Sequence, residues 1–234
     1  MRFQSPLLPA MLIRRYKRFL ADIRLDDGRE ATAHCANPGA MLGLADEGAR
    51  IWVEPNDDPR KKLRFSWKLV ELPGGHFVGI DTAVPNRVVR EALEARAVPE
   101  LARFDSLRAE VRYGKASRID FLLQGVGQPD TYVEVKNAHL RRVGDRAEFP
   151  DSVTARGARH LAELADMARA GHRAVMVYLV QRTDCARFRL AGDIDPAYAV
   201  AFARARAAGV EALAFATAID TGGVTLAHPL PVEA

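Results

Sequence analysis

The stretch "SRIDFLLQGVGQPDTYVEVKNAHL" (117–140) puts an Asp, a Glu and a Lys inside two runs that otherwise read as core strands. Asp120 opens "IDFLL", and Glu134 and Lys136 alternate with Val133 and Val135 in "YVEVKN". Side chains two apart on a strand share a face, so Glu134 and Lys136 project together while the valines point the other way. The turn-rich "QGVGQPD" folds the first run back beside the second and brings Asp120 near the Glu134 face. Isolated buried carboxylates are costly. Two of them beside an ammonium make sense around a hard divalent cation, Mg2+ or Mn2+, held by carboxylates, water and substrate phosphate. The candidate metal ligands are Asp120, Glu134 and Val135, the last able to offer only its main-chain carbonyl. The cation polarises a phosphodiester, Lys136 orients the attacking water or neutralises developing charge, and the chemistry is phosphodiester hydrolysis. The competing reading is an exposed Glu–Lys pair on an edge strand, worth little. Against it, 28 Arg outnumber 6 Lys in this chain, so a lysine at this position is not the default cation.

The rest of the chain supplies a context for those charges. Residues 1–83 read as β-rich: "RFLADIRL" and "REATAHC" alternate around a Gly-containing turn, and "ARIWVEP", "RFSWKLVEL" and "HFVGIDT" continue the pattern. So many short strands predict a small barrel of the five-stranded OB type. From residue 84 the pattern changes. "NRVVREALEARA" (86–97) has helical spacing with Asn86 as N-cap, and the strands "EVRYG", "IDFLL" and "TYVEVKN" follow. A helix in 151–170, capped by Asp151 or Ser152 and ended by Gly171, leads to the unbroken apolar strand "RAVMVYLV". A helix over 195–209 and a last strand "VEALAFATAI" complete an α-β-β-β-α-β-α-β order. That order implies a mixed sheet flanked by helices in a second domain, 84–234. An Asp before an apolar strand, a short turn and Glu-x-Lys in this context is the arrangement of the PD-(D/E)xK nuclease core.

Further site residues follow from that core. A helical acid precedes its strands, and Glu91 is the candidate, with Glu94 the alternative. Arg156 and His160 stand at i and i+4 on one helix face, where a guanidinium suits phosphate. Lys115 and Arg118 flank the approach to Asp120. In the barrel, "RRYKRF" (14–19) and "RKKLRFSWK" (60–68) mix cations with rings, the combination that binds a nucleic-acid backbone and its bases. Arg14, Arg15, Lys17, Arg18, Lys61, Lys62 and Arg64 are the candidate contacts. In the alternative, Tyr16, Phe19, Phe65 and Trp67 are core and the cations coat an edge strand.

Composition narrows the classes. At 48% hydrophobic and 27% charged, with no apolar stretch long enough to span a bilayer, the chain reads as a soluble protein without a membrane partner. Pro9 and the cations from Arg14 to Arg18 rule out a signal-peptide pattern, so the expected location is the cytoplasm. Cys35 and Cys185 lie far apart with no metal-binding spacing around either. The net charge of +4 permits an acidic partner.

"LIRRYKRFLADI", "HCANPGAM", "YGKASRIDFLL", "YVEVKN", "FPDSVTARGARHL" and "HPLPV" resemble the sugar fermentation stimulation protein A family over nearly the whole chain. The resemblance implies an N-terminal OB-like domain and a restriction-endonuclease-like domain. It also implies DNA binding without clear sequence specificity, and regulation of sugar (maltose) metabolism genes. By the nuclease motif, Asp120, Glu134 and Lys136 take the catalytic positions, and Ile119 stands where the motif's name has Pro. The expected partner is DNA, single- or double-stranded. A homodimer would supply the two sites that cutting both strands needs.

Overall fold

The computed structural model describes residues 1–114 and 117–233. Strands β1 (Leu8–Tyr16), β2 (Leu20–Leu25), β3 (Glu30–Cys35), β4 (Arg50–Pro55), β5 (Phe65–Leu72) and β6 (His76–Gly79) lie in the order β3-β2-β1-β4-β5-β6. Neighbours are antiparallel. A parallel pairing of Ala33–Cys35 with Phe65–Trp67 joins β3 to β5 and closes five strands into the barrel that the alternation predicts. Its interior takes every second residue, such as Ala21, Ile23 and Leu25 of β2, around a fully buried Trp67. β1 was not legible, because Pro9 and the basic run hide its alternation; a register shift between Leu12 and Arg14 breaks it further.

After the barrel come α1 (Val84–Glu94), β7 (Ser106–Tyr113), β8 (Ser117–Gln124), β9 (Thr131–Ala138), β10 (Arg146–Phe149), α2 (Ala155–Arg169), β11 (Arg173–Val180), β12 (Arg187–Leu190), α3 (Pro196–Ala207), β13 (Glu211–Asp220) and β14 (Gly223–Leu230). The main sheet has the order β14-β13-β11-β9-β8-β7. β9, β11 and β13 run parallel and the other pairs antiparallel, giving the expected mixed sheet. Val133 and Val135 pack under α1 with Val88, Val89 and Leu93. The opposite face is covered by α2 and α3 through Leu161, Leu164 and Tyr198. Glu134 and Lys136 therefore point toward α2. None of the helices among the described residues is long and apolar enough to cross a membrane.

The structure corrects several local readings. β10 and β12 form a separate two-stranded sheet, and at four residues each they are too short to carry a pattern. β14 was missed because Pro229 interrupts it. α1 begins at Val84 with Pro85 in its first turn, so Asn86 lies inside the helix rather than at the cap. α2 is capped by Thr154, whose hydroxyl accepts the Gly157 N–H, and not by Asp151 or Ser152. Residues 1–3 do not belong with the barrel: Met1 is buried against the second domain, its carbonyl accepts the Val224 N–H, and the Phe3 N–H donates to the Gly222 carbonyl.

The two domains share contacts of three kinds. Residues 181–183 pair along the open edge of β6, through Gly79 N–H to the Gln181 carbonyl (2.8 Å) and Thr183 N–H to the Phe77 carbonyl (3.0 Å). Leu69 of the barrel joins the core beneath α1, with Trp52 and Phe77 beside it. Asp151 accepts the Met41 N–H (3.1 Å) and lies 3.4 Å from His139 Nε2. The loop after β3 approaches so closely that a Cβ at Gly39 would lie 2.4 Å from Asp151 Oδ2. Burial alone would push the Asp151 carboxyl up, but His139 and the Met41 N–H outweigh it and hold it at about 2. A depressed carboxyl stabilises the fold above its unfolded pKa, and that stability is lost as the pH falls through the folded value. Asp151→Asn should therefore cost about 2 kcal/mol at pH 6. Urea unfolding of both proteins should show that gap closing as the pH falls toward 2; a gap that stays constant would rule out a role for the Asp151 charge.

Candidate active site

The β8–β9 ladder pairs Leu123, Leu122 and Phe121 with Thr131, Tyr132 and Val133 and then stops. The next opposed residues are Asp120 and Glu134. On its other side, β8 loses a partner at the same point: the β7 ladder skips Glu110, which has φ of 54°. Asp120 fills the gap it opens. Its Oδ2 accepts the Val135 N–H at 2.7 Å in place of a ladder bond, and its Oδ1 accepts Asn86 Nδ2 at 2.7 Å. The carboxylate is thereby held where two strands part, with a helix on its other side.

Glu134, 2% exposed, is more enclosed than Asp120 or Lys136. Its Oε1 accepts Lys136 Nζ at 2.6 Å and the Nδ1–H of His160, while Oε2 has no hydrogen-bond partner among the described residues. Arg156 Nε donates to His160 Nε2 at 3.2 Å. A ring nitrogen that accepts carries no proton, so this network assigns His160 as the neutral Nδ1–H tautomer. Burial, followed by the Glu134 charge, pushes the Asp120 carboxyl up to about 6. Burial would raise Glu134 as well, but the His160 hydrogen bond and the Lys136 charge outweigh it and hold Glu134 below its ordinary value. The Lys136 charge acts on both, and the two adjacent carboxyls differ in proton affinity because only Glu134 accepts hydrogen bonds from the ammonium and the ring N–H.

Asp120, Glu134, Val135, Lys136, Arg156 and His160 line one cleft of about 500 Å³, whose other wall is Asn37, Pro38 and Gly39 of the barrel. Among the described residues, His, Cys, Asp and Glu side chains nowhere form a group of three or more in metal-holding geometry. A cation here would draw on the two carboxylates and main-chain or water oxygens.

Glu91 does not join this cleft. It pairs with the Met1 ammonium at 2.7 Å and is 58% exposed, while Glu94 pairs with Arg90 on the surface. The reason is helical geometry: five residues turn a helix by about 140°, so α1 cannot present both Asn86 and Glu91 to Asp120. Asn86 occupies the expected acid's place, and its polar character was spent in the sequence reading on a cap. The barrel wall and the contact of Asp151 with it have no sequence signal either, since nothing local marks a loop that will meet another domain.

The barrel cations divide. Arg15 is not available to phosphate, because its guanidinium donates to the carbonyls of Arg18, Asn37, Gly39 and Ala40. Arg14 is exposed but paired with Asp22 and stacked over Tyr16 at 4.9 Å. Lys17 and Arg18 are exposed at the β1–β2 turn. Lys61, Lys62 and Arg64 are exposed in the β4–β5 loop, with Lys61 facing a separate cavity beside Lys68 and Arg87. Arg118 is exposed opposite Arg112. Lys115 lies outside the described residues. Of the rings, Trp67 is core and Phe65 packs on it, whereas Phe19 is 46% exposed.

Because Glu134 is almost fully buried, removing one of its partners leaves a charge poorly compensated. His160→Ala should cost about 3 kcal/mol in urea unfolding. Adding Glu134→Gln should recover part of the loss, so strict additivity of the two changes would refute the coupling.

Comparison with known proteins agrees with this architecture. Residues 13–80 match the family model described as the SfsA N-terminal OB domain, and residues 83–223 match the sugar fermentation stimulation protein RE domain. The sugar fermentation stimulation protein homolog of Dinoroseobacter shibae is 68% identical over 234 residues, covering 100% of this chain and 96% of that protein. The homolog of Rhodospirillum centenum is 54% identical, with 100% of both chains covered. The solved structure of Pyrococcus furiosus SfsA in complex with Ca2+ matches with a TM-score of 0.89 at 29% identity, over 100% of this chain and 98% of the other. The chain belongs to the sugar fermentation stimulation protein family.

Proposed function

We propose that this protein binds DNA, without strong sequence preference, and hydrolyses its phosphodiester backbone at the Asp120/Glu134/Lys136 cleft with the help of Mg2+ or Mn2+. The observation that carries this reading is Glu134, whose Oε2 has no hydrogen-bond partner among the described residues and which is buried beside a second carboxylate whose proton affinity it raises. An acceptor buried without a donor is costly, and a hard cation satisfies it. The Ca2+ named for the Pyrococcus furiosus relative supports a hard-cation site in the family.

In this reading Asp120, Glu134 and the Val135 carbonyl hold the cation. When bound, the cation polarises the phosphodiester and makes a bound water more acidic. Asn86 and the Val135 N–H fix the Asp120 carboxylate so that it needs no rearrangement to serve. His160, itself fixed by Arg156, holds Glu134 in one orientation. Lys136 keeps an ammonium within the cleft, where it orients water or stabilises charge on the phosphoryl oxygens. Arg156 uses only Nε in its hydrogen bonding among the described residues, which leaves its terminal amines for a phosphate. Phosphate contacts of this kind make binding salt-sensitive and blind to sequence.

The test is cleavage of labelled single- and double-stranded DNA and RNA with Mg2+ or Mn2+, with binding followed at two salt concentrations. Cutting should require the cation, stop on chelation, and fall by at least about 100-fold in Lys136→Ala while binding persists. Salt-sensitive binding without cutting on any substrate would refute the enzymatic half and leave a DNA-binding regulator on a nuclease scaffold.

A further inference from the structure

Large apolar side chains exposed singly are ordinary on a protein surface, so what matters is the segments that carry them. Seven are exposed among the described residues, and three of these lie on segments that line the cleft or are tied to its wall: Phe19 at 46%, Leu42 at 48% and Val153 at 73%. Val153 lines the cleft directly. Leu42 follows Met41, whose N–H is tied to Asp151. Phe19, the only aromatic of the seven, sits in the β1–β2 turn. Arg15 binds that turn to the cleft wall, since one guanidinium donates to the Arg18 carbonyl and to those of Asn37 and Gly39. The ring also lies parallel to His34 at 6.5 Å. Phe19 is therefore an exposed ring on a turn that one guanidinium ties to the wall facing Glu134.

Its neighbours fit the same partner. Lys17 and Arg18 adopt φ of 48° and 61°, a conformation that side chains other than glycine rarely take. Their side chains make no hydrogen bond or ion pair among the described residues. In a duplex every base face is covered by the next base, so a protein ring with flanking cations finds a partner only where bases are unstacked. The carboxylates point the same way. Glu134 lies 2% exposed in a cleft of about 500 Å³, room for about one nucleotide of a flexible strand but not for a rigid double helix.

We propose that the cleft takes a single-stranded nucleic acid, its bases lying against the rim of Phe19, Leu42 and Val153 and its phosphates running from Lys17 and Arg18 to Arg156. This deepens the nuclease reading: the cut rests on that reading, whereas the binding stands independently of it. The experiment measures affinity of the full chain for fluorescent oligothymidylate and oligouridylate and for a duplex of the same length, using wild type, Phe19→Ala and Phe19→Trp. Single strands should bind at least about tenfold more tightly than duplex. Phe19→Ala should lose roughly 5- to 100-fold on single strands, with duplex binding and the unfolding midpoint unchanged, and Phe19→Trp should restore the loss. The two oligonucleotides distinguish DNA from RNA as the source of the strand. Tighter binding of duplex, or equal losses on both forms, would overturn the inference, and duplex cutting alongside either result would leave the nuclease reading standing. Single-strand binding sensitive to Phe19, with no cutting of any single- or double-stranded substrate, would support the inference and sink the nuclease.

Discussion

A carboxylate removed from water must find its counter-charges inside the fold, and Glu134 organises much of this protein around that need. Its position on β9 is set by the pleat, which sends the valines beneath α1 and the charges beneath α2. From there one oxygen gathers Lys136 from its own strand and His160 from α2, and His160 in turn engages Arg156. The helix is thus oriented on the sheet by polar contacts at its N-terminal end and by Leu161 and Leu164 along its length. Removal of the charge would loosen the cleft and the helix packing together. A buried ionic cluster is seldom the cheapest way to build a core, which is itself a reason to attach chemistry to it.

The parting of β8 and β9 at Asp120 is the second constraint. A continued ladder would pair the Val135 N–H with main chain and leave no place between the two carboxylates. Substituting a side-chain acceptor for the ladder keeps the donor satisfied and opens the sheet without an unpaired N–H. The left-handed residue Glu110, on the far side of β8, marks the same discontinuity from β7. Such departures from regular pairing concentrate where a fold is adapted to a task.

What could be read in advance follows the range of the forces involved. The barrel, the mixed sheet and the Asp120, Glu134, Lys136 grouping were legible because alternation and turn residues act locally, and a hairpin carries its two strands together. β10, β12 and β14 were not, since short or proline-containing strands depend on partners far away in sequence. Glu91 illustrates the limit at the site. The residue type was suited to the role, but the helix phase that decides which side chain meets Asp120 is set by the apolar packing of Val88, Val89 and Leu93. The same holds for the cleft's second wall, which exists only because the barrel loop docks on Asp151.

Arg15 carries a consequence for any attempt to map a nucleic-acid surface by charge removal. It sits within a run of cations and would be a natural choice for an alanine scan, yet its guanidinium is a brace holding the β1–β2 turn against the loop that walls the cleft. A variant lacking it would forfeit the wall's shape before it forfeited a positive charge. Its phenotype would imitate a lost phosphate contact while reporting architecture, whereas neighbours such as Lys17 and Arg18, whose side chains make no hydrogen bond or ion pair among the described residues, speak for electrostatics.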